Sequence, residues 1–161
     1  MQQWEIPRRT WSEATYRKRN PGGDPFRIKE QLNRRERELK GFGLGLNLGE
    51  GTRSSTDAVR LGNTNPKIIK IFLNFLVGIC GIDLRKLRFG LQIFNGGNPP
   101  ESLNFWLKEL MGFNITRDQF QKVVVTAPRG RGLYRNKIRH GVLTGYYCNT
   151  KLRSSLEKMI E

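Results

Sequence analysis

The acid with the clearest chemical prospects is Glu50, which closes the run Gly41-Phe42-Gly43-Leu44-Gly45-Leu46-Asn47-Leu48-Gly49-Glu50-Gly51. A carboxylate at a helix C-terminus is mildly unfavourable against the helix dipole. In a chain of net charge +15, that placement points to a cation that offsets it. The second group is cationic. Arg129, Arg131, Arg135, Lys137 and Arg139 crowd one connection, Pro128 to Arg139, with Tyr134 as a stacking ring among them. Guanidinium and ammonium groups in such density suit a phosphate backbone. Residue types argue against other chemistries. His140 is the single histidine; it reads as a phosphate contact or a plain surface residue, and a Ser-His-Asp or Cys-His arrangement built on it is not expected. Cys80 and Cys148 are far apart and form no CxxC pair, which argues against structural zinc and for two buried, reduced thiols. The glycine run lacks the Lys-Ser/Thr ending of a phosphate-binding loop, so nucleotide hydrolysis is not expected.

Positioning Glu50 falls to the glycine-leucine run. A glycine inside a helix costs about 1 kcal/mol relative to alanine, a cost tolerated where backbones approach closely. Gly41, Gly45 and Gly49 recur every four residues and form one smooth stripe flanked by Leu44 and Leu48. Two such helices can pack with little side chain between them, which sets Glu50 beside its symmetry mate. Gly41, Leu44, Gly45, Leu48 and Gly49 are the expected homodimer contact.

The charge is unevenly spread. Residues 1–40 hold 11 Lys/Arg against 6 acids, and Gln119 to Leu156 hold 8 Lys/Arg and no acid. Such a balance speaks of partners rather than fold, and nucleic acid is the leading one; charge alone does not separate DNA from RNA. Residues 1–33 read as a basic arm or small subdomain that orders on a partner, with Trp4 and Trp11 as anchors and Arg17, Lys18 and Arg19 as a basic triplet. Residues 34–161 form the main domain. The longest apolar run, Ile68 to Ile82, is too short for a membrane span, and Met1 to Pro7 has no apolar signal region; a cytoplasmic protein is expected.

Periodicity predicts a helix from about Asn33, stopped by Gly51, then a strand at Asp57–Asn63. A helix follows from Asn65-Pro66, with Asn as cap and Pro in the first turn. Alternation at Leu87, Phe89, Leu91 and Ile93 predicts a second strand. Pro99-Pro100 opens a helix with the buried stripe Leu103, Trp106, Leu107, Leu110 and Met111, ended by Gly112. Strands are expected at Lys122–Ala127 and His140–Cys148, and Asn149-Thr150 caps a last helix. The class is α+β, a sheet with helices on one face and an open basic face on the other.

With these elements in place, Gly43-Leu44-Gly45-Leu46-Asn47-Leu48-Gly49-Glu50-Gly51 resembles a divergent copy of the motif that names the LAGLIDADG homing endonucleases. Gly49-Glu50-Gly51-Thr52, then Val59-Arg60-Leu61-Gly62-Asn63-Thr64-Asn65-Pro66-Lys67-Ile68-Ile69, is similar to the "LAEG … SDP" pattern of bacterial and archaeal members. The Leu103-Asn104-Phe105-Trp106 and Gln119-Phe120-Gln121-Lys122-Val123 segments also resemble that subgroup, and the likeness spans roughly residues 37 to 161. The resemblance implies an αββαββα-type domain with a saddle-shaped antiparallel sheet lying in the DNA major groove, here with an extra helix at about Pro99 to Gly112. One motif per chain implies a homodimer. It further implies Mg²⁺ held by Glu50 and the carbonyl of Gly49, and double-strand DNA cleavage by in-line attack of water, with Glu50 as the catalytic acid residue. The family's first acid position is Leu48 here, and Glu50 stands where Asp is commoner. The basic active-site residue is open among Lys122, Lys137 and Lys151. The cations expected on nucleic acid are Arg17, Lys18, Arg19, Arg53, Arg60, Arg88, Lys122, Arg129, Arg131, Arg135, Lys137 and Arg139, with Tyr134. A non-cleaving DNA- or RNA-binding regulator, or an RNA-associated assembly factor, is the alternative, since one fold hosts several functions.

Overall fold

The computed structural model describes residues 8–49, 57–94, 96–127 and 138–161, with side chains from residue 13 onward. The elements run α1 (Arg8–Arg19), α2 (Arg34–Gly49), β1 (Ala58–Asn63), α3 (Pro66–Gly78), β2 (Arg88–Phe94), α4 (Pro99–Glu109), β3 (Val124–Thr126), β4 (Val142–Cys148) and α5 (Thr150–Lys158). The expected α+β class and the order of elements after residue 33 are those observed. No helix among the described residues is long and apolar enough to cross a membrane.

Asparagine starts four of the helices. The side-chain oxygens of Asn65, Asn98 and Asn149 accept from the backbone N–H of Lys67, Glu101 and Leu152 at 2.9, 3.0 and 2.9 Å. At α2 the cap is reciprocal. Asn33 Oδ1 accepts from the Glu36 N–H at 3.0 Å, and the Asn33 N–H donates to Glu36 Oε2 at 2.9 Å. Each cap satisfies N–H groups that a helix start otherwise leaves free.

The sheet has the order β1-β4-β2-β3. β4 pairs antiparallel with both β1 and β2, but β2 and β3 run parallel. This corrects the expectation of an all-antiparallel sheet. The cause is the connection: α4 and two 3₁₀ turns carry the chain from the end of β2 back to the start of β3, and such a crossover delivers a parallel strand. Just before β3, Phe120 bridges to Phe89 and their rings stack with centroids 5.0 Å apart.

The core lies between one sheet face and the helices. Val59 and Leu61, Phe89, Leu91 and Ile93, and Leu143 and Tyr147 alternate inward. They meet Ile69, Phe72, Leu73 and Leu76 of α3, Trp106 of α4, and Leu152 and Leu156 of α5. Met111, expected in the α4 stripe, is 71% exposed. The α-helix stops at Glu109, and the tighter 3₁₀ turn Met111–Phe113 rotates Met111 off the stripe. The left-handed residue that ends this region is Asn114, at φ 53°, rather than Gly112.

The stretch that precedes α2 is tied to the body. The Arg27 and Lys29 N–H groups donate to the carbonyls of Cys80 and Ile79 at 3.0 and 2.8 Å. The Tyr147 hydroxyl donates to the Pro25 carbonyl at 2.8 Å. Gly81 permits this approach, because at φ +58° a Cβ would press on the Arg27 carbonyl. Tyr16 of α1 donates to Asp24 at 2.9 Å and accepts from Asn149 at 3.0 Å.

Candidate nucleic-acid interface

Alternation sends the polar half of the sheet away from the helices. Arg60 and Gly62 of β1, Thr144 and Tyr146 of β4, and Arg88, Gly90 and Gln92 of β2 share this second face. Register then aligns a row across three strands: Arg60 pairs with Tyr146, and Tyr146 with Arg88. The Arg60 guanidinium lies 5.6 Å from the centroid of the Tyr146 ring, a cation–π contact. Arg88 donates to the Leu87 and Arg85 carbonyls at 2.9 and 2.5 Å, which fixes its position at the end of the row. Gly90, opposite Thr144, has open space where a side chain would stand. Beside it Gln92 Nε2 donates to Thr126 Oγ1 at 3.1 Å. None of the four strands contains an acidic residue.

Among the described residues two polar atoms in this row have no hydrogen-bond partner, Arg60 Nε and Tyr146 Oη. Both lie out of contact with solvent, where an unmet donor costs about 1–3 kcal/mol. Burial pushes the Tyr146 phenol above its usual range, helped by Cys148, while Arg60 and Arg88 pull the other way. The phenol therefore stays protonated at neutral pH and can donate. Two guanidinium groups flank this phenol, and Arg88, the exposed one, is open to an anionic oxygen.

The expected cations are spread over several parts of the fold. Arg60 and Arg88 are brought together by the sheet. Arg17 faces Glu13 at 2.7 Å, with Lys18 and Arg19 exposed on the same basic turn of α1. Arg139 is drawn to Glu101 of α4 at 2.8 Å, so it braces the helix as well as adding charge. Lys122 is exposed just before β3. Lys151 faces Asp24 at 3.4 Å and sits 4.6 Å from the Tyr16 ring centroid, at the α1–α5 junction rather than on the sheet face. Glu50, Arg53, Arg129, Arg131, Tyr134, Arg135 and Lys137 lie outside the described residues, as do Gly51 and Trp4.

His140 has a packing role. Its ring stacks on Phe105 with centroids 4.0 Å apart, and its carbonyl accepts from Trp106 Nε1 at 2.9 Å. The two thiols differ. Cys80 is buried, but Cys148 is exposed, which corrects the expectation of two buried cysteines. The same alternation that turns Tyr147 inward turns Tyr146 and Cys148 to the open face.

On α2 the glycines divide by face. A Cβ on Gly43 would run into the Phe75 ring, whereas Gly41, Gly45 and Gly49 have nothing within 4 Å of theirs. Gly43 is thus the close-packing glycine inside the chain, and the four-residue stripe faces outward. Phe42 is 64% and Leu48 47% exposed on that outward side. Leu44, expected with the stripe, instead packs partly against the core. Sequence reasoning missed Tyr146 and Phe42; strand alternation and the exposed flank of the stripe were the signals for them.

Among the described residues no group of three or more His, Cys, Asp or Glu is placed to hold a metal ion. Gly49 ends α2 in an exposed position, and carbonyls at a helix C-terminus lack intrahelical partners. An oxygen donor of that kind suits a hard cation such as Mg²⁺. No protein-family model matches the chain, and no curated protein or solved structure matches it either.

Proposed function

We propose that this protein is a DNA-binding, LAGLIDADG-like endonuclease that acts as a homodimer. The observation that carries the binding half is the Arg60–Tyr146–Arg88 row on an acid-free sheet face. Its side chains are aligned across strands, with two guanidinium groups flanking one phenol. The exposed Arg88 guanidinium at the end of the row offers a contact to a phosphodiester. The outward Gly41–Gly45–Gly49 stripe supports pairing of two copies through α2, which brings two Glu50 carboxylates together. Glu50 and the Gly49 carbonyl would hold Mg²⁺. Such an ion would lower the pKa of an attacking water and polarise a phosphoryl oxygen. The roles left to this chain are to bind the duplex, to hold its backbone across the sheet, and to present the carboxylate.

A randomised duplex library incubated with Mg²⁺ tests the proposal. Site-specific double-strand cuts are expected, with Glu50→Gln abolishing them while DNA binding persists. Tight, metal-independent binding with no cuts, unaffected by Glu50→Gln, refutes the nuclease and leaves a DNA- or RNA-binding regulator on the same face. Preference for RNA over duplex DNA of equal length would select the RNA-associated reading.

A further inference from the structure

A concavity of about 420 Å³ opens beside α2, lined by Glu30, Leu32, Arg37, Lys40, Gly41 and Leu44. Its lining combines two leucines, Leu32 and Leu44, with two cations, Arg37 and Lys40, and one carboxylate, Glu30. Among the described residues neither Arg37 nor Lys40 takes part in a salt bridge. Gly41 belongs both to this hollow and to the outward glycine stripe, so the hollow and the stripe form one continuous surface.

We infer that the hollow receives the Phe42 ring of a second copy of this chain. The inference rests on the α2 pairing proposed above and fixes its geometry. At about 100° per residue, Phe42 projects from one flank of the Gly45-centred stripe. Gly41, Leu48 and the hollow lie on the other flank. A two-fold axis parallel to the helices sets the first flank of one copy against the second flank of its mate at the same height. The hollow is lined by residues 37, 40, 41 and 44 of α2, which brackets the height of residue 42. A parallel pair therefore faces each Phe42 with a hollow, twice over. An antiparallel pair would set Phe42 near the mate's Gly49 and leave both hollows empty. The chemistry matches as well: an exposed aromatic ring meets a lining of Leu32 and Leu44 beside Arg37 and Lys40, which form no salt bridge among the described residues, so that cation–π contact adds to ring burial.

The test replaces Phe42 with p-benzoylphenylalanine in the full chain and irradiates a mixture of isotopically light and heavy protein. Residue 42 is exposed, so the substitution leaves the fold intact. Light–heavy adducts at Leu32, Lys40 or Leu44 are expected. Phe42→Ala should weaken self-association at least tenfold, and Arg37→Gln by a few-fold. A persisting dimer whose adducts fall at Gly45–Gly49, or that forms none in the hollow, overturns this inference while the α2 pairing stands. A chain that stays monomeric at high concentration overturns both.

Discussion

Gly43 and Gly45 stand two residues apart on α2 but face opposite ways, and one methyl group added to each distinguishes their roles. Gly43→Ala drives a Cβ into the ring of Phe75, which is fully buried and cannot swing aside. Overpacking of this kind costs about 1–3 kcal/mol, offset by about 1 kcal/mol from the better helix former. The net loss is about 0–2 kcal/mol. Gly45→Ala meets nothing within 4 Å in the single chain, so it collects the helix gain alone, about 1 kcal/mol. The two variants should therefore differ by about 1–3 kcal/mol. With a urea slope of roughly 2 kcal/mol per molar, their midpoints separate by about 0.5–1.5 M. The assay is urea unfolding followed by tryptophan fluorescence at concentrations low enough to keep copies apart. At high concentration the order changes for Gly45→Ala, because the methyl then enters the seam of the proposed pair and its gain shrinks or reverses. If Gly43→Ala stabilises the dilute chain as much as Gly45→Ala does, α2 does not pack on α3 through Gly43 and the assignment of faces fails.

Three further predictions rest on separate contacts. Arg60→Gln should weaken nucleic-acid binding and reduce the slope of log K against log salt by about 1, the share of one phosphate contact; an unchanged slope would remove Arg60 from the interface. Asn149→Ala loses both the α5 cap and the bond to Tyr16, and should cost about 2 kcal/mol by thermal or urea unfolding. A loss under about 0.5 kcal/mol would show the cap to be idle. In the native protein a thiol reagent at pH 8 should label Cys148 and spare Cys80, whose thiol is pushed up to about 12 by burial. The folded state then holds the Cys80 proton where the unfolded chain releases it. Stability is full below about pH 9 and falls as pH rises toward 12, and the buried Tyr147 phenol, also pushed up to about 12, adds to the loss above about pH 10. Cys80→Ala should shallow the first part of that decline.

Much of this architecture was legible from local chemistry. Asn65-Pro66 and Asn149-Thr150 start helices where they were expected to, because a cap is a contact between residues two or three apart. The inward rows Leu87, Phe89, Leu91, Ile93 and Ile69, Phe72, Leu73, Leu76 are buried as their periods require. Strand ends were less legible. β4 begins at Val142 rather than His140, since Gly141 takes φ +72° and a Cβ there would strike the Gln92 carbonyl. That constraint comes from a residue about fifty positions away.

The sequence by itself determined the α+β class, the order of elements after residue 33, the net positive charge and the glycine stripe, since each follows from composition or from spacing within one segment; the helix at Arg8–Arg19 was not among the expected elements. Only the tertiary structure decided that β3 joins the sheet parallel to β2, that Gly43 rather than Gly45 packs inside the chain, and that Cys148 is exposed. It alone set Arg60, Tyr146 and Arg88 in one row, from positions 60, 146 and 88. Strand register and the choice of which helix face is buried are pairings between distant segments. They are fixed by the summed burial of the whole core rather than by any local preference.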